Sequence, residues 1–206
     1  ANHIGQPDAG IWEIRNSWRE HSFTHLMTWA GLDRLRSMQG SGLLPPQDWS
    51  DAIESAASRL RSATLEGRIR NGPDDPSLDA ALALLPVLRF PEKNVAESTI
   101  RELFHELGAG PGFFYRYRRT DDFGRPQSAF VICSFWLVQA LCCLGFREEG
   151  LALLEQAIGA ANGLGLYSEH FDPGSQTQLG NFPQAYSHVG LINAAFAASP
   201  PWTQIL

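Results

Sequence analysis

A short acidic segment near the C-terminal end of the chain holds residue types that could do chemistry. The stretch LYSEHFDP, residues 166–173, contains Glu169, His170 and Asp172 close together. Carboxylate and imidazole groups at this spacing could bind calcium or zinc, act as acid and base, or form only a polar turn. Because no further ligand is in view, a metal site is the least favoured, and the sequence predicts no metal and no cofactor.

A second carboxylate could work together with Glu169. Glu13 follows Trp12 in a long polar stretch that reads DAGIWEIRNSWREHSFTH, residues 8–25. Two opposed carboxyls among aromatic rings suit the hydrolysis of a glycosidic bond, since a protonated one can donate to the leaving oxygen while an ionised one activates water or attacks directly. Either glutamate could instead be an ordinary polar loop residue. The pair is therefore a hypothesis that depends on how the two loops are positioned.

The elements that must position these loops are helices. Apolar residues recur at helical spacing through most of the chain, whereas strand patterns are poor. The spacing predicts seven helices, at residues 24–38, 48–68, 77–89, 94–107, 128–144, 147–161 and 182–198. Turn-forming glycine, proline and asparagine residues separate these segments.

Charged residues alternate along the predicted helices. The segments 48–68, 92–106 and 147–155 are rich in charge, whereas 77–88 carries only Asp79 and both 128–144 and 182–198 carry none. A helix that is apolar on all sides is buried, and one with a charged face borders solvent. The alternation predicts two concentric layers, as in an α/α toroid or a segment of one, with an α-solenoid as the alternative. In a toroid, loops leading into inner helices gather on one face, which would bring Glu13 and Glu169 to one pocket.

The composition disfavours several classes of partner. The 206-residue chain has a formal net charge of −6, so neither nucleic acid nor an anionic membrane surface is an expected partner. No apolar run is long enough to indicate a membrane span. The three cysteines, Cys133, Cys142 and Cys143, are odd in number and form no CxxC pair. They are interpreted as buried free thiols of a reducing compartment, which predicts a cytoplasmic location.

Several long motifs resemble glycoside hydrolase family 15, which holds glucoamylases, glucodextranases and a bacterial trehalase branch. The similar stretches are GIWEIR, FTHLMTWAGLDR, LDAALALLPVL, GFFYRYR, SAFVICSFWLVQAL, LYSEHFDP and QLGNFPQAYSHVGLINAA. The resemblance implies an all-α fold, the (α/α)6 toroid of the six-hairpin glycosidase type, of which this chain would supply about the last seven helices. Residues 1–206 would then be the C-terminal part of a catalytic domain, and the N-terminal half of the barrel and any β-sandwich domain would be absent from the chain.

The resemblance also implies an inverting, exo-acting α-glucoside hydrolase that releases β-D-glucose. In that case Glu13 matches the general acid and Glu169 the general base, and inversion requires their carboxyl groups to lie about 6.5–9.5 Å apart. The expected sugar-contacting residues are Trp12, Arg15, Arg118, Phe130, Tyr186 and His188, with Arg116 and Arg119 as rivals of Arg118. The residues after the acid, Ile14 and Arg15, resemble the bacterial branch more than the fungal glucoamylases.

The number of predicted helices leaves a second interpretation open. Seven helices are fewer than a complete barrel of this family contains. The alternative is a truncated, non-catalytic helical fragment or interaction module derived from such an enzyme. A partial toroid would expose the apolar flanks of its inner helices. The expected partners are therefore an α-glucoside or trehalose-type sugar, together with a second copy of the chain or the missing half-barrel.

Overall fold

Helical segments dominate the chain, as the spacing of its apolar residues predicts. The computed structural model describes residues 3–122 and 124–200. Within them lie seven α-helices: α1 (Ser22–Gly40), α2 (Ser50–Ser62), α3 (Leu84–Val87), α4 (Lys93–Leu107), α5 (Val131–Leu144), α6 (Arg147–Ala157) and α7 (Ala185–Ala198). Short 3-10 segments, Ala80–Ala83 and Ile158–Ala160, precede α3 and follow α6. No helix in the described part is long and apolar enough to cross a membrane.

The charge-free helix α5 lies at the centre of the molecule. Most of its residues are buried, and it packs against α6, α7, α3 and the first 3-10 segment. The helix ends at Gly145, whose φ of 96° suits glycine. The amides of Gly145 and Phe146 bind the carbonyls of Cys142 and Leu141, which satisfies the last turn. A charge-free and mostly apolar sequence therefore becomes a helix that is covered along all but its last turn.

The charged helices lie outside this centre. α2 packs on α1, α4 packs on α3 and the 3-10 segment before it, and α6 packs on α5. Each buries one stripe, such as Ile100, Leu103 and Leu107 of α4, and turns its charged residues to solvent. These contacts agree with the predicted alternation for α2, α4, α5 and α6, whereas α7, which was predicted to be buried on all sides, is not.

The last helix, α7, is apolar but covered on one side only. Gly190 of α7 lies against Ile132 and Phe135 of α5. On the opposite side, Val189 and Ile192 are each 53% exposed and Phe196 is 63% exposed. We refer to these three residues as the exposed α7 face.

Three small antiparallel sheets supplement the helices. They are formed by β1 (Thr64–Leu65) with β2 (Arg68–Ile69), by β3 (Gly108–Gly110) with β4 (Phe113–Phe114), and by β5 (Ala129–Phe130), β6 (His170–Asp172) and β7 (Thr177–Leu179) in that order. Phe130 pairs with His170, and Phe171 pairs with Gln178. The all-α prediction missed these strands because two or three residues are too few to show an alternating pattern.

Several predicted boundaries differ from the structure. The helix predicted at 48–68 ends at Ser62, where the β1–β2 hairpin follows. The helix predicted at 77–89 becomes the 3-10 segment and the single turn of α3, which contains Pro86, a residue without a backbone N–H donor. The prediction of three buried thiols is wrong for Cys143, which is exposed near the end of α5, and Cys142 is only partly buried.

Candidate active site

Glu169 lies immediately before β6, at the junction of the three-stranded sheet with α7. Its backbone is fixed from two directions. The Glu169 carbonyl accepts a hydrogen bond from the N–H of Val131 at 3.0 Å, and its N–H donates to the carbonyl of Asn181 at 2.9 Å. The neighbouring Ser168 is fully buried, and its carbonyl accepts from the hydroxyl of Ser187 in α7. The sheet and the helix together fix where this glutamate sits.

The carboxylate of Glu169 accepts three hydrogen bonds. The hydroxyl of Tyr186 donates to Oε1 at 2.7 Å, while the backbone N–H and the side-chain amide of Asn181 donate to Oε2 at 3.2 and 3.1 Å. Partial burial opposes ionisation, but these hydrogen bonds, helped by His170 and Arg116, hold the pKa of Glu169 below its ordinary value. Glu169 is therefore a carboxylate, the form that a general base requires.

Gly180 makes this arrangement possible. Its φ is 75°, and a Cβ at this position would lie 2.7 Å from Oε2 of Glu169. A side chain here would be strained by the backbone and would also displace the carboxylate. The segment from β7 to α7 can approach Glu169 closely because this residue is glycine.

A row of aromatic rings joins Glu169 to Trp12. The Tyr186 ring stacks on Phe130 with centroids 5.8 Å apart and planes 14° apart. Phe130 in turn meets the indole of Trp12 edge to face at 5.3 Å. We call Trp12, Phe130 and Tyr186 the aromatic row. Although Trp12 and Glu169 are far apart in the sequence, the fold links them through these two ring contacts and the hydrogen bond from Tyr186 to Glu169.

Glu13 follows Trp12 in a loop with an unusual backbone conformation. The φ of Glu13 is 55°, in the left-handed region. The loop is closed by the N–H of Glu13, which donates to the carbonyl of Gly10 at 3.3 Å, and by the N–H of Ile14, which donates to Ala9 at 2.9 Å. The Glu13 side chain is exposed, and no hydrogen bond joins it to another residue of the described part. Its carboxyl group is therefore accessible to a ligand.

Arg116 supplies positive charge beside the aromatic row. Its guanidinium carbon lies 5.8 Å from the ring centroids of both Trp12 and Phe130. Asp121 holds it through a 2.5 Å bond to Nη2. Its Nε is buried without a hydrogen-bond partner among the described residues. Arg116 is placed where a ligand on the aromatic row could reach it.

The structure does not bring Arg118 to the same place. Its Nε and Nη2 donate to the carbonyls of Glu106 and Gly108 at 2.5 and 2.7 Å. These bonds hold its guanidinium at the C-terminal end of α4. Arg119 binds the carboxylate of Asp79 at 3.0 Å. Of the two rivals of Arg118, Arg116 is therefore the arginine with contacts to the aromatic row.

The remaining sugar-contacting candidates have distinct settings. Nε2 of His188 accepts the N–H of Tyr167 at 3.4 Å, so Nδ1 carries the hydrogen and donates to the carbonyl of Gln184 at 2.8 Å. Both ring nitrogens thus hold the start of α7. Arg15 is exposed, and its backbone N–H donates to Asp122 at 3.0 Å.

The other polar residues of LYSEHFDP point to different neighbours. The ring of His170 meets Phe130 edge to face, and its Nδ1 lies 3.2 Å from the hydroxyl of Ser128. Burial lowers the pKa of His170. Asp172 accepts hydrogen bonds from Gly174 and Ser175 in the β6–β7 turn. Across residues 3–122 and 124–200, no group of three or more His, Cys, Asp or Glu residues is arranged to hold a metal ion.

One buried carboxylate at the site was missed from the sequence. Asp79 is 3% exposed. It accepts the indole N–H of Trp12, with Nε1 at 2.8 and 3.0 Å from its two oxygens. The signal that could have found it is its isolation, since Asp79 is the one charged residue in the apolar stretch 77–88.

Known proteins resemble the chain in both sequence and structure. The sequence profile described as "Glycosyl hydrolases family 15" matches residues 1–196. A trehalase of Mycolicibacterium smegmatis is 36% identical over 201 residues, which cover 93% of this chain and 30% of that protein. A trehalase of Thermoplasma volcanium is 32% identical over 200 residues, covering 92% of this chain and 32% of that protein.

The structural comparison points to the same fold. A glycosidase variant in complex with glucose superposes with a TM-score of 0.72 at 20% identity, over 93% of this chain and 55% of that chain. A wild-type glycosidase gives a TM-score of 0.71 at 21% identity, over 95% of this chain and 55% of that chain. The chain thus spans about 30% of the length of the trehalases and about half that of the superposed glycosidases.

Proposed function

The chain belongs to glycoside hydrolase family 15, and on that premise we propose that it carries the acid and base of an enzyme that hydrolyses an α-glucoside with inversion and releases β-D-glucose. Glu13 is the general acid and Glu169 the general base. The chain forms the C-terminal part of an (α/α)6 catalytic barrel. The remainder of the barrel covers the apolar flanks that the chain leaves exposed.

One observation carries this proposal. The Glu169 carboxylate, ionised and held by Tyr186 and Asn181, lies at one end of the aromatic row, and the residue before Glu13 lies at the other. An ionised carboxylate beside rings suits activation of a water molecule next to a sugar. The second carboxyl, on an exposed loop, suits contact with the leaving oxygen of a bound glycoside.

The proposed reaction uses these groups in turn. The sugar ring packs against the aromatic row, and Arg116 donates hydrogen bonds to its hydroxyl groups. Glu169 removes a proton from a water molecule on one face of the ring while Glu13 protonates the glycosidic oxygen on the other. The water oxygen bonds to the anomeric carbon as the carbon–oxygen bond to the leaving group breaks. Glu169 ends protonated and Glu13 ionised, and exchange with solvent restores both.

The substrate class follows from the relatives. Trehalases are 31–36% identical to this chain in four organisms, and one superposed glycosidase structure holds glucose. These support a glucoside of the trehalose type as substrate. Trp12, Phe130, Tyr186 and Arg116 are the proposed sugar contacts, whereas Arg15, Arg118 and His188 stay predictions from the sequence.

The test replaces each glutamate in the full-length protein. Glu13→Gln and Glu169→Gln should each lower kcat by about 10²–10⁴-fold, the usual contribution of general acid–base catalysis. Glucose release is measured with trehalose, maltose, isomaltose and soluble starch, and NMR identifies the first anomer formed. Glu66→Gln is the control, because Glu66 is also an exposed glutamate with positive φ. Unchanged activity in either site variant, or α-glucose as the first product, would contradict the proposal.

A second candidate applies to the 206-residue chain in isolation. The exposed α7 face favours a helical fragment that associates with itself or with further helices and has no activity alone. Comparing glucose release by the isolated chain with that of the full-length protein separates the two candidates.

A further inference from the structure

We propose that Asp79 is a positioning residue for the general acid, because it fixes the indole of Trp12 and thereby the loop that carries Glu13. This inference rests on the proposed function and adds a residue that does not itself contact substrate.

The bond between Asp79 and Trp12 is strong by geometry and setting. The indole Nε1 lies 2.8 and 3.0 Å from the two carboxylate oxygens, so a single N–H is shared between them. Asp79 is 3% exposed, and water therefore competes weakly for its oxygens. Hydrogen bonds to a buried charged acceptor are stronger than those between neutral groups. Removing the carboxylate would leave the indole N–H without a partner.

Asp79 is itself held by two further segments. One oxygen accepts the N–H of Ala81 at 3.0 Å and caps the 3-10 segment before α3. The other accepts from Arg119 at 3.0 Å, and the guanidinium of Arg119 lies 3.8 Å from the ring centroid of Tyr117. The carboxylate thus cannot turn without breaking contacts to two other parts of the chain. It ties Trp12 to the 3-10 segment that packs against α5.

The acid loop depends on such an anchor. Residues 9–18 belong to no helix or strand, and Glu13 itself is in the left-handed region. The Glu13 side chain has no hydrogen bond within the described part that could hold it. The buried attachment nearest to Glu13 is therefore the indole of the preceding residue. Because displacement of a reacting group by about 1 Å can cost about a hundredfold in rate, this anchor controls the efficiency of the acid.

A misplaced general acid should affect two kinds of substrate unequally, whereas a general loss of structure should affect them equally. An acid is needed in proportion to the basicity of the leaving group. When a disaccharide is cleaved, the second sugar would leave as a strongly basic alkoxide, so it needs the proton of Glu13. When a nitrophenyl α-glucoside is cleaved, the leaving group is a stable nitrophenolate, which needs that proton far less. A misplaced acid should therefore slow the disaccharide much more than the aryl glucoside.

The experiment uses four variants of the full-length protein: Asp79→Ala, Asp79→Asn, Trp12→Phe and the double variant Asp79→Ala with Trp12→Phe. Asp79→Ala should lower kcat on trehalose or maltose by about tenfold to a hundredfold with little change in KM, the effect of losing a hydrogen bond to a charged group. On nitrophenyl α-glucoside the loss should be at least several-fold smaller. Asp79→Asn keeps an oxygen for the indole and should recover part of the activity.

The double variant tests the route of the effect. Trp12→Phe removes the N–H but keeps a ring, so the further loss of Asp79 should cost less than it does in the wild type. Thr99→Val is the matched control, since Thr99 is also buried and forms hydrogen bonds that join two segments, to Ile69 and Val95, neither of which belongs to the acid loop. Equal losses on both substrates, fully additive effects, or an equal loss in Thr99→Val would each overturn the proposal.

Hydrogen exchange keeps the two proposals distinguishable. If the wild type hydrolyses neither substrate, the proposed function fails. The exchange rates of the backbone amides of residues 8–17 still report how firmly the acid loop is held. Asp79→Ala should speed this exchange by about tenfold or more, while Thr99→Val should not. Unchanged exchange in Asp79→Ala would overturn the positioning role independently of any activity.

Discussion

The hydrogen bond between Tyr186 and Glu169 shifts the pKa values of the two side chains in opposite directions. Burial and the Glu169 carboxylate raise the pKa of the Tyr186 phenol, while burial is outweighed at Glu169 by the bonds that it accepts, so that its pKa is lowered. Across the neutral range the pair is therefore a phenol that donates to a carboxylate. A base held in this way stays ionised in mildly acidic solution.

Replacing Tyr186 by phenylalanine should move the acidic limb of the pH profile. In the proposed mechanism Glu169 acts as a base only when ionised, so we expect activity to be lost as the pH falls through the pKa of Glu169 in the folded protein. Tyr186→Phe removes a bond that lowers this pKa. The acidic limb of kcat/KM should then move to higher pH, and activity at its optimum should fall by about fivefold to tenfold, the value of one hydrogen bond. The measurement is kcat/KM for an α-glucoside between pH 3 and 8.

A second tyrosine provides the control for this substitution. The Tyr167 hydroxyl donates to the carbonyl of Ile158 at 3.3 Å. Tyr167→Phe should therefore leave the acidic limb where it is. A profile of Tyr186→Phe that coincides with those of the wild type and of this control would show that the bond does not tune the base.

Part of this arrangement of residues could be predicted from the sequence. Glu169, Trp12, Phe130 and Tyr186 were expected at the site, and the structure joins them through ring contacts and one hydrogen bond. The choice among the arginines could not be made, because side-chain direction in the irregular stretch YRYRR depends on contacts with α4 and Asp79. Asp79 was not expected at all, since its partners lie 40 and 67 positions away.

At the level of elements, the sheet formed by β5, β6 and β7 determines where Glu169, the proposed base, lies. It pairs Phe130 with His170, although these two residues are about 40 positions apart. The helices could be predicted because their pattern repeats over several turns. The strands could not, because each has only two or three residues and is stabilised by a distant partner rather than by its own pattern.

The approach of the β7–α7 segment to Glu169 predicts a specific effect at Gly180. Gly180→Ala should lower the free energy of unfolding by about 1–2 kcal/mol because of its positive φ. It should also reduce kcat strongly, because the new Cβ would lie 2.7 Å from Oε2 of Glu169. Chemical denaturation and glucose release from the full-length protein measure the two effects.

The matched control is another glycine of similar conformation. Gly165 has a φ of 76°, and a Cβ there would meet nothing within 4 Å. Gly165→Ala should destabilise the protein to a similar extent but preserve kcat. Equal kcat in the two variants would mean that the close approach at Gly180 has no bearing on the base.

For the molecule as a whole, the exposed α7 face predicts the behaviour of the isolated chain. Val189, Ile192 and Phe196 present apolar surface on a helix without charged residues. The 206-residue chain should therefore self-associate, and Phe196→Glu should shift it toward the monomer because the substitution places a charge on the exposed α7 face. Light scattering coupled to size-exclusion chromatography measures the mass.

An exposed leucine elsewhere serves as the comparison. Leu164 is 83% exposed in the turn after the second 3-10 segment. Leu164→Glu adds the same charge and should leave the mass unchanged. An isolated chain that is monomeric at all concentrations, or equal effects of the two substitutions, would contradict a role of the exposed α7 face.

If Glu13 is the proposed acid, its left-handed backbone lowers the stability of the protein at a residue that catalysis requires. A non-glycine residue in the left-handed region lowers the stability of the folded protein by roughly 1–2 kcal/mol. Glycine relieves this strain, but it loses about 0.5–1 kcal/mol because its unfolded state is more flexible. Glu13→Gly should therefore stabilise the protein by about 0.5–1 kcal/mol while abolishing hydrolysis. Glu66→Gly, at a φ of 51° in the β1–β2 turn, should give the same stabilisation with full activity. In the proposed function, the chain keeps a less stable residue at position 13 because glycine there has no carboxyl group that could donate the proton.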